Sequence, residues 1–177
     1  MKKNFSVGQL TNGLIGVYLV FCGSLFLSCH VYSFTGASID PSVKTFTIKP
    51  FTNQASIVVP GLSQSLTDDL RNKILSNSNL SQATSNGDLE YSGAVTQYTV
   101  APSAATAAQV ASLNRLTISV QVDFTNHKNV KQSWSQIFSR YADYNSQQNL
   151  NSIQNDLIKQ INDQLVEDIF NKAVVNW

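Results

Sequence analysis

Residues 115–126 alternate without a break. Leu116, Ile118, Val120, Val122 and Phe124 stand at every second position, against Thr117, Ser119, Gln121 and Asp123 between them. Successive side chains of an extended chain point to opposite faces, so this is a strand with one buried face and one wet face. A sheet built around it needs a cover on its apolar side alone. Two helical stripes supply that cover. Over Gly61 to Asn77, Leu62, Leu66, Leu70 and Ile74 recur every four residues, with Leu75 beside them. Over Asn149 to Val175, the stripe is Leu150, Ile153, Leu157, Ile161, Leu165 and Ile169, widened by Ile158, Val166 and Phe170. Each reads as an amphipathic helix with one face for a core. Asn149 and Asn151 are both acceptable N-caps for the second.

Further strands flank these elements. Lys44 to Phe51 places Phe46 and Ile48 on one side and Thr45 and Thr47 on the other, and Pro50, which has no N–H, ends it or puts it at an edge. Ile57, Val58 and Val59 make a short apolar piece in the loop from Asn53 to Pro60. A brief strand fits Leu80 to Thr84, and Asn86–Gly87 signals a turn. Asp88 to Val100 begins with Leu89, Tyr91 and Val95 on one face, then passes to Tyr98 and Val100 of the other parity. A bulge near Thr96–Gln97 accounts for the switch. Ala101 to Ala108 reads as an alanine-rich loop, long for a hairpin, and Asn126 to Asn129 as a turn. Lys131 to Tyr144 fits helical spacing as well as a bulged strand; its dense serine and the turn before it favour the strand. The expected fold is α+β: a two-layer sandwich with a mixed, mostly antiparallel sheet of about four to five strands and both helices packed on one face.

Ahead of this domain, Met1–Lys2–Lys3 leads into an apolar run from Leu14 to Leu27 that ends at Ser28–Cys29. A short basic start, an apolar centre and a small residue before the cut describe a secretory signal. The run is shorter than the roughly twenty residues that a bilayer-spanning helix needs. The cysteine after the cut matches a bacterial lipoprotein signal, although Phe26 and Leu27 stand where the usual pattern has Leu and a small residue. On this reading 1–28 is the signal, 29–43 a lipidated tether and 44–177 the folded domain, with lipid attachment at Cys29. Cys22 leaves with the signal. Two or three acyl chains hold a protein durably at a membrane, whereas one does not.

The mature part loses Lys2 and Lys3, so ten basic side chains face eleven acidic ones, a net charge of about −1. That excludes the basic field a nucleic-acid partner requires and a polybasic membrane patch. Charged residues are only 13 % of the sequence. Ser, Thr, Asn and Gln stand in their place, giving a surface polar without being strongly charged, suited to packing on other polar walls. Catalytic constellations are missing. His30 follows the cysteine and His127 sits in a turn; Asp68–Asp69 and Glu167–Asp168 are helix neighbours that point apart. Gly87 and Gly93 are isolated, so no phosphate loop forms, and no cluster has metal-ligand spacing. Arg115 and Arg140 read as solvated or cross-strand charges, and Tyr91, Trp134 and Tyr141 as core. An enzyme is not expected, and neither is a cofactor or a metal.

Four stretches carry a family resemblance: Cys29 to Ser38, Asn114–Arg115–Leu116–Thr117–Ile118, Phe138 to Tyr144 with its Ser139–Arg140–Tyr141–Ala142–Asp143 centre, and Leu165 to Ala173. In this order they resemble the LptE family of lipopolysaccharide-assembly lipoproteins, in the branch found in Bacteroidota. The resemblance implies a lipid-anchored, periplasm-facing outer-membrane protein. It would plug a large β-barrel partner of LptD type, which places lipopolysaccharide in the outer leaflet, and would touch lipopolysaccharide in passing. The basic contacts of the proteobacterial branch have no local counterpart here, so no lipopolysaccharide-binding residue is assigned. The alternatives left open are a stand-alone periplasmic lipoprotein that binds a lipid or peptide between sheet and helices, and a scaffold subunit of another envelope complex. Mass spectrometry of the mature protein should find its N-terminus at acylated Cys29; an unmodified terminus at another residue would refute the anchor.

Overall fold

The computed structural model describes residues 39–103 and 112–174. The signal, Cys29, most of the tether and the latter part of the alanine-rich stretch lie outside the described residues. In chain order the elements are β1 (Thr45–Ile48), β2 (Thr52–Asn53), α1 (Leu62–Asn77), β3 (Ser81–Gln82), β4 (Leu89–Ser103), β5 (Leu113–Asn126), β6 (Trp134–Asn145) and α2 (Leu150–Val174). The strands form one six-stranded sheet in the order β3-β1-β4-β5-β6, with β2 also paired to β4. The β1–β3, β1–β4 and β2–β4 pairs are parallel, and the long β4–β5 and β5–β6 ladders antiparallel.

The expected α+β class, the two helices and the mixed sheet are present. The strand count is six instead of four to five, because β2 and β3 are two residues each, too short to leave an alternating pattern. β1 and β2 run along β4 as one strand interrupted at Pro50, with β3 on the outer side of β1. Ile48 pairs with Tyr91 and Thr52 with Ala94, so one extra residue is accommodated around a proline that has no N–H to give. The expected bulge is found where the parity changes: the β4–β5 register shifts between Val95 and Gln97. It keeps Tyr91, Val95 and Tyr98 buried on one side of a strand fifteen residues long.

α1 packs on α2, and α2 lies over β5 and β6. Leu116, Ile118, Val120 and Val122 are completely buried beneath them, as are Leu66, Leu70 and Ile74 of α1 and Ile161, Leu165 and Ile169 of α2. Each such side chain contributes about 1.5–3 kcal/mol, so burial rather than helix propensity holds the layer in place. Buried Asn162 adds a polar tie between the helices: its amide donates to Ser65 Oγ and Asp69 Oδ2, both at 3.3 Å. Asn149 caps α2, its side-chain oxygen accepting the Asn151 N–H at 2.9 Å.

Several expectations need correction. Leu75 lies outside the α1 stripe and is 45 % exposed. Ala101 to Ser103 continue β4 instead of opening a loop. The β5–β6 turn is longer than Asn126 to Asn129: Asn126 Oδ1 accepts the N–H groups of Lys128 and Asn129, a 3-10 turn follows at Val130–Gln132, and β6 starts only at Trp134.

Two local features lock the parallel edge. Gly93 lies under Phe51, and a Cβ there would come 2.1 Å from the Gln121 carbonyl oxygen and 2.8 Å from the Phe51 ring. The ring can shift but the backbone oxygen cannot. Asp88 precedes β4 and ties it to β1: its Oδ2 accepts the N–H groups of Lys44 at 2.8 Å and Thr45 at 3.0 Å. The Thr45 hydroxyl donates to the same oxygen at 3.1 Å, and Lys128 Nζ stands 3.0 Å from Oδ1. The Lys44 N–H foremost, then Lys128, holds the Asp88 carboxyl well below the usual carboxylate range. A carboxyl more acidic folded than unfolded contributes stability above its unfolded pKa of about 3.9, and that stability is lost as pH falls through the folded value.

Gly93→Ala should therefore lower the unfolding free energy by about 1–3 kcal/mol in urea titrations; an unchanged midpoint would show that the ladder tolerates the Cβ. Asp88→Asn should cost about 1–3 kcal/mol at neutral pH and flatten the loss of stability below about pH 4. An Asp88→Asn profile parallel to that of the unmutated protein would contradict the role given to this carboxylate.

Candidate functional site

The helices cover one face of the β4–β5–β6 ladder, and among the described residues no helix or strand lies over the other, where Ser119 alone of the β5 side chains is buried. The open face follows from strand parity. Arg115, Thr117, Ser119, Gln121 and Asp123 of β5 project from it, opposite Asp143, Tyr141, Ser139, Ile137 and Ser135 of β6. Its side chains are bonded to one another in rows across the strands. Arg115 makes a two-pronged contact with Asp143, Nε to Oδ1 at 2.7 Å and Nη2 to Oδ2 at 2.8 Å. The same guanidinium lies 3.6 Å from the centre of the Tyr141 ring. Ser119 Oγ joins Gln97 Oε1 and Ser139 Oγ, each at 3.0 Å, and Gln121 Nε2 donates to Ser135 Oγ at 2.7 Å.

The β5–β6 part of this face sets one guanidinium, Arg115, against two carboxylates, Asp143 and Asp123, the latter accepting from the Ser135 hydroxyl. The Arg115 contact pulls the Asp143 carboxyl below its usual range, and Asp143 raises Arg115 in turn. Such a solvent-facing pair is screened by water, so it orients the two side chains more than it stabilises the fold. The result is a pre-ordered surface of hydroxyls and amides with one guanidinium–aromatic stack. Two large apolar side chains stand out of it: Ile137, 60 % exposed, and Tyr141, 50 % exposed.

Tyr141 thus corrects the expectation that it belongs to the core. Tyr91 and Trp134 meet that expectation better, through a row on the covered face. Tyr91, Phe124 and Trp134 stack with centroids 5.0 and 5.2 Å apart, and Phe138 joins Trp134 at 5.6 Å. Tyr91 is fully buried, and burial raises its hydroxyl pKa. Arg115 is the cross-strand charge expected, whereas Arg140 reaches off the sheet, from β6 to Asp168 of α2 at 2.5 and 2.7 Å. The neighbouring acids do point apart: Asp68 meets Gln64 and Arg71 while Asp69 meets Ser65 and Asn162, and Glu167 meets Lys73 while Asp168 meets Arg140. His127 sits at the surface, 4.0 Å from Glu90. Among the described residues, no three His, Cys, Asp or Glu side chains gather as a metal site.

The pairing of Arg115 with Asp143 and the placement of Tyr141 beside them escaped sequence reasoning. Their signal was the register. A turn closing at Asn126 to Asn129 would align different residues; the added 3-10 turn at Val130–Gln132 brings Arg115 opposite Asp143. Clefts open on the surface among the described residues. One, of about 300 Å³, is lined by Ile39, Asp40, Val43, Lys44 and the end of α1; another, about 460 Å³, lies along the α1–α2 seam by Asp69, Lys73, Asp163 and Glu167. Both open to solvent, and the space between sheet and helices is filled by core side chains.

The fold has solved counterparts. PelC from Paraburkholderia phytofirmans, described as a dodecamer, superposes with a TM-score of 0.50 at 12 % identity, over 78 % of this chain and 94 % of PelC. A minor lipoprotein from Acinetobacter baumannii gives 0.49 at 15 % identity, over 74 % of this chain and 92 % of its own. The rare lipoprotein B of Shewanella oneidensis gives 0.44 at 9 % identity, over 73 % and 90 %. At 12 % identity the PelC likeness is one of fold alone. No curated protein matches the sequence. The model of the lipopolysaccharide-assembly family does match, over residues 43–173, which takes in every described strand and both helices; the chain belongs to the LptE family.

Proposed function

We propose that the protein is an outer-membrane lipoprotein anchored through Cys29. It would serve as plug and assembly subunit of an LptD-type β-barrel that delivers lipopolysaccharide to the outer leaflet. The observation that carries this reading is the uncovered face of the β4–β5–β6 ladder. The inner wall of a wide transmembrane barrel is polar, and a plug must meet it without burying unpaired charge. This face is suited to that contact, since Arg115 is matched by Asp143, the Asp123 carboxylate accepts from the Ser135 hydroxyl, and the other hydroxyls and amides are held in rows. Side chains fixed before contact lose little entropy on docking. No bond is made or broken; the work is to fill the lumen and guide the barrel's folding. Among the described residues no helix is long and apolar enough to cross a membrane; in this reading the anchor is the acylated Cys29. The reading as a binder of lipid or peptide between sheet and helices has less support, because that space is occupied by the core.

The test is affinity isolation of the tagged full chain from outer membranes. The expected result is a stoichiometric large barrel protein co-purifying with it, reduced at least tenfold for Cys29→Ser, which should also leave the outer-membrane fraction. Recovery of the domain alone, or normal barrel assembly with Cys29→Ser, would contradict the proposal.

A further inference from the structure

Asn86–Gly87 joins a side-chain amide to a backbone N–H that no following side chain shields, the pairing in which the two react with each other most readily. The chain's other such pair, Asn12–Gly13, lies in the stretch read as a signal. The fold demands both residues. Strand order places β1 between β3 and β4, so the segment 83–88 closes no hairpin and instead crosses β1. Gly87 is buried on the β1 backbone, where a Cβ would come 2.6 Å from the Phe46 carbonyl carbon and 2.7 Å from the Thr47 nitrogen. Asn86, just before it, is exposed and holds φ at 53°, alone among the described non-glycine residues in having positive φ. Asparagine tolerates that conformation better than most residues. The Gly87 N–H donates to Thr47 Oγ1 at 3.0 Å, and the same buried hydroxyl donates to the Ala83 carbonyl at 3.1 Å. One hydroxyl thus pins both ends of the crossing.

We propose that Asn86 is a site of spontaneous deamidation held closed by the Thr47 hydroxyl, so that it converts in copies whose β1–β4 edge has opened. In the reaction the Gly87 nitrogen loses its proton and bonds to Asn86 Cγ. The Cγ–Nδ2 bond breaks, and ammonia leaves with that proton. Water then opens the resulting succinimide at either carbonyl, giving aspartate or, with the main chain routed through Cγ, isoaspartate. Nothing is oxidised or reduced, and water is the sole co-reactant. In the closed fold the nucleophile is withheld, because an N–H bonded to Thr47 keeps its proton and cannot turn toward Cγ. An edge built from strands of four and two residues opens at far lower cost than the whole domain, so local release exposes the pair. The product records that release. Isoaspartate adds a methylene to the main chain directly ahead of Asp88, whose Oδ2 must reach the Lys44 and Thr45 N–H groups. With the path lengthened, Gly87 and Asp88 cannot both regain their places on β1. The inference is independent of the barrel reading, since it asks nothing of a second protein.

The experiment incubates the full-length lipoprotein in mild detergent at neutral pH and follows aspartate and isoaspartate at position 86 by peptide mass spectrometry. In urea, Asn86 should convert faster than any other asparagine of the mature chain; in the folded protein it should convert at least about tenfold more slowly. Thr47→Val should speed the folded-state reaction about fivefold, the change that losing one hydrogen bond brings to an opening equilibrium. Thr47→Ser, which keeps the hydroxyl, should restore the slow rate. Ile161→Val loosens the helix layer away from this turn and should leave the Asn86 rate unchanged. The isolated isoaspartate form should lose hydrogen-exchange protection at the Lys44 and Thr45 N–H groups. Equal rates in folded and unfolded protein, an unchanged rate in Thr47→Val, equal acceleration by Ile161→Val, or full protection in the isoaspartate form would overturn the proposal.

Discussion

The architecture depends on keeping one parity of the β4–β5–β6 ladder dry over its whole length. Leu116, Ile118, Val120 and Val122 fix the face that the helices must cover, and everything else is arranged to keep that face continuous. β4 cannot stay in phase with β5 by simple alternation. It gains one residue between Val95 and Gln97, and the buried set passes from Tyr91 and Val95 to Tyr98 without exposing a gap. Of the covering helices, α1 has no side-chain bond at its N-cap and α2 has that of Asn149. They stay because their stripes have nowhere else to go.

The parallel edge needs different devices, because its strands are too short for side-chain pairing to set their register. Asp88 takes that role, reading the N–H groups of Lys44 and Thr45 with one carboxylate oxygen. Gly93 does the same by absence, leaving room for Phe51 to close the core where β2 meets β4. A charge and a missing side chain thus hold what two-residue strands cannot.

Long patterned elements were legible in the sequence for this reason. The unbroken alternation of β5, the four-residue recurrence of α1 and the parity switch at Thr96–Gln97 each encode burial over many residues, and each is found in place. What escaped was short or depended on register. β2 has too few residues for a period. The length of the β5–β6 turn depends on Asn126 accepting two backbone N–H groups, which no spacing announces. With the turn misjudged, Arg115, Tyr141 and Asp143 remained unrelated residues instead of one cluster. Aromatic residues usually belong to a core, but the parity of β6 sets Tyr141 on the wet side.

Membership of the LptE family gives this two-sided sheet a biological setting, and the proposed role turns on its uncovered face. That face orders its hydroxyls and amides in rows, while the opposite face packs on a mostly apolar core. Site-specific photo-crosslinking from Thr117, at the centre of that face, tests the account most directly in intact outer membranes. The account predicts an adduct with a large barrel protein from Thr117 and none from the mutually satisfied, outward-facing Lys159 of α2. A Thr117 position that captures no protein, while Lys159 does, would contradict it.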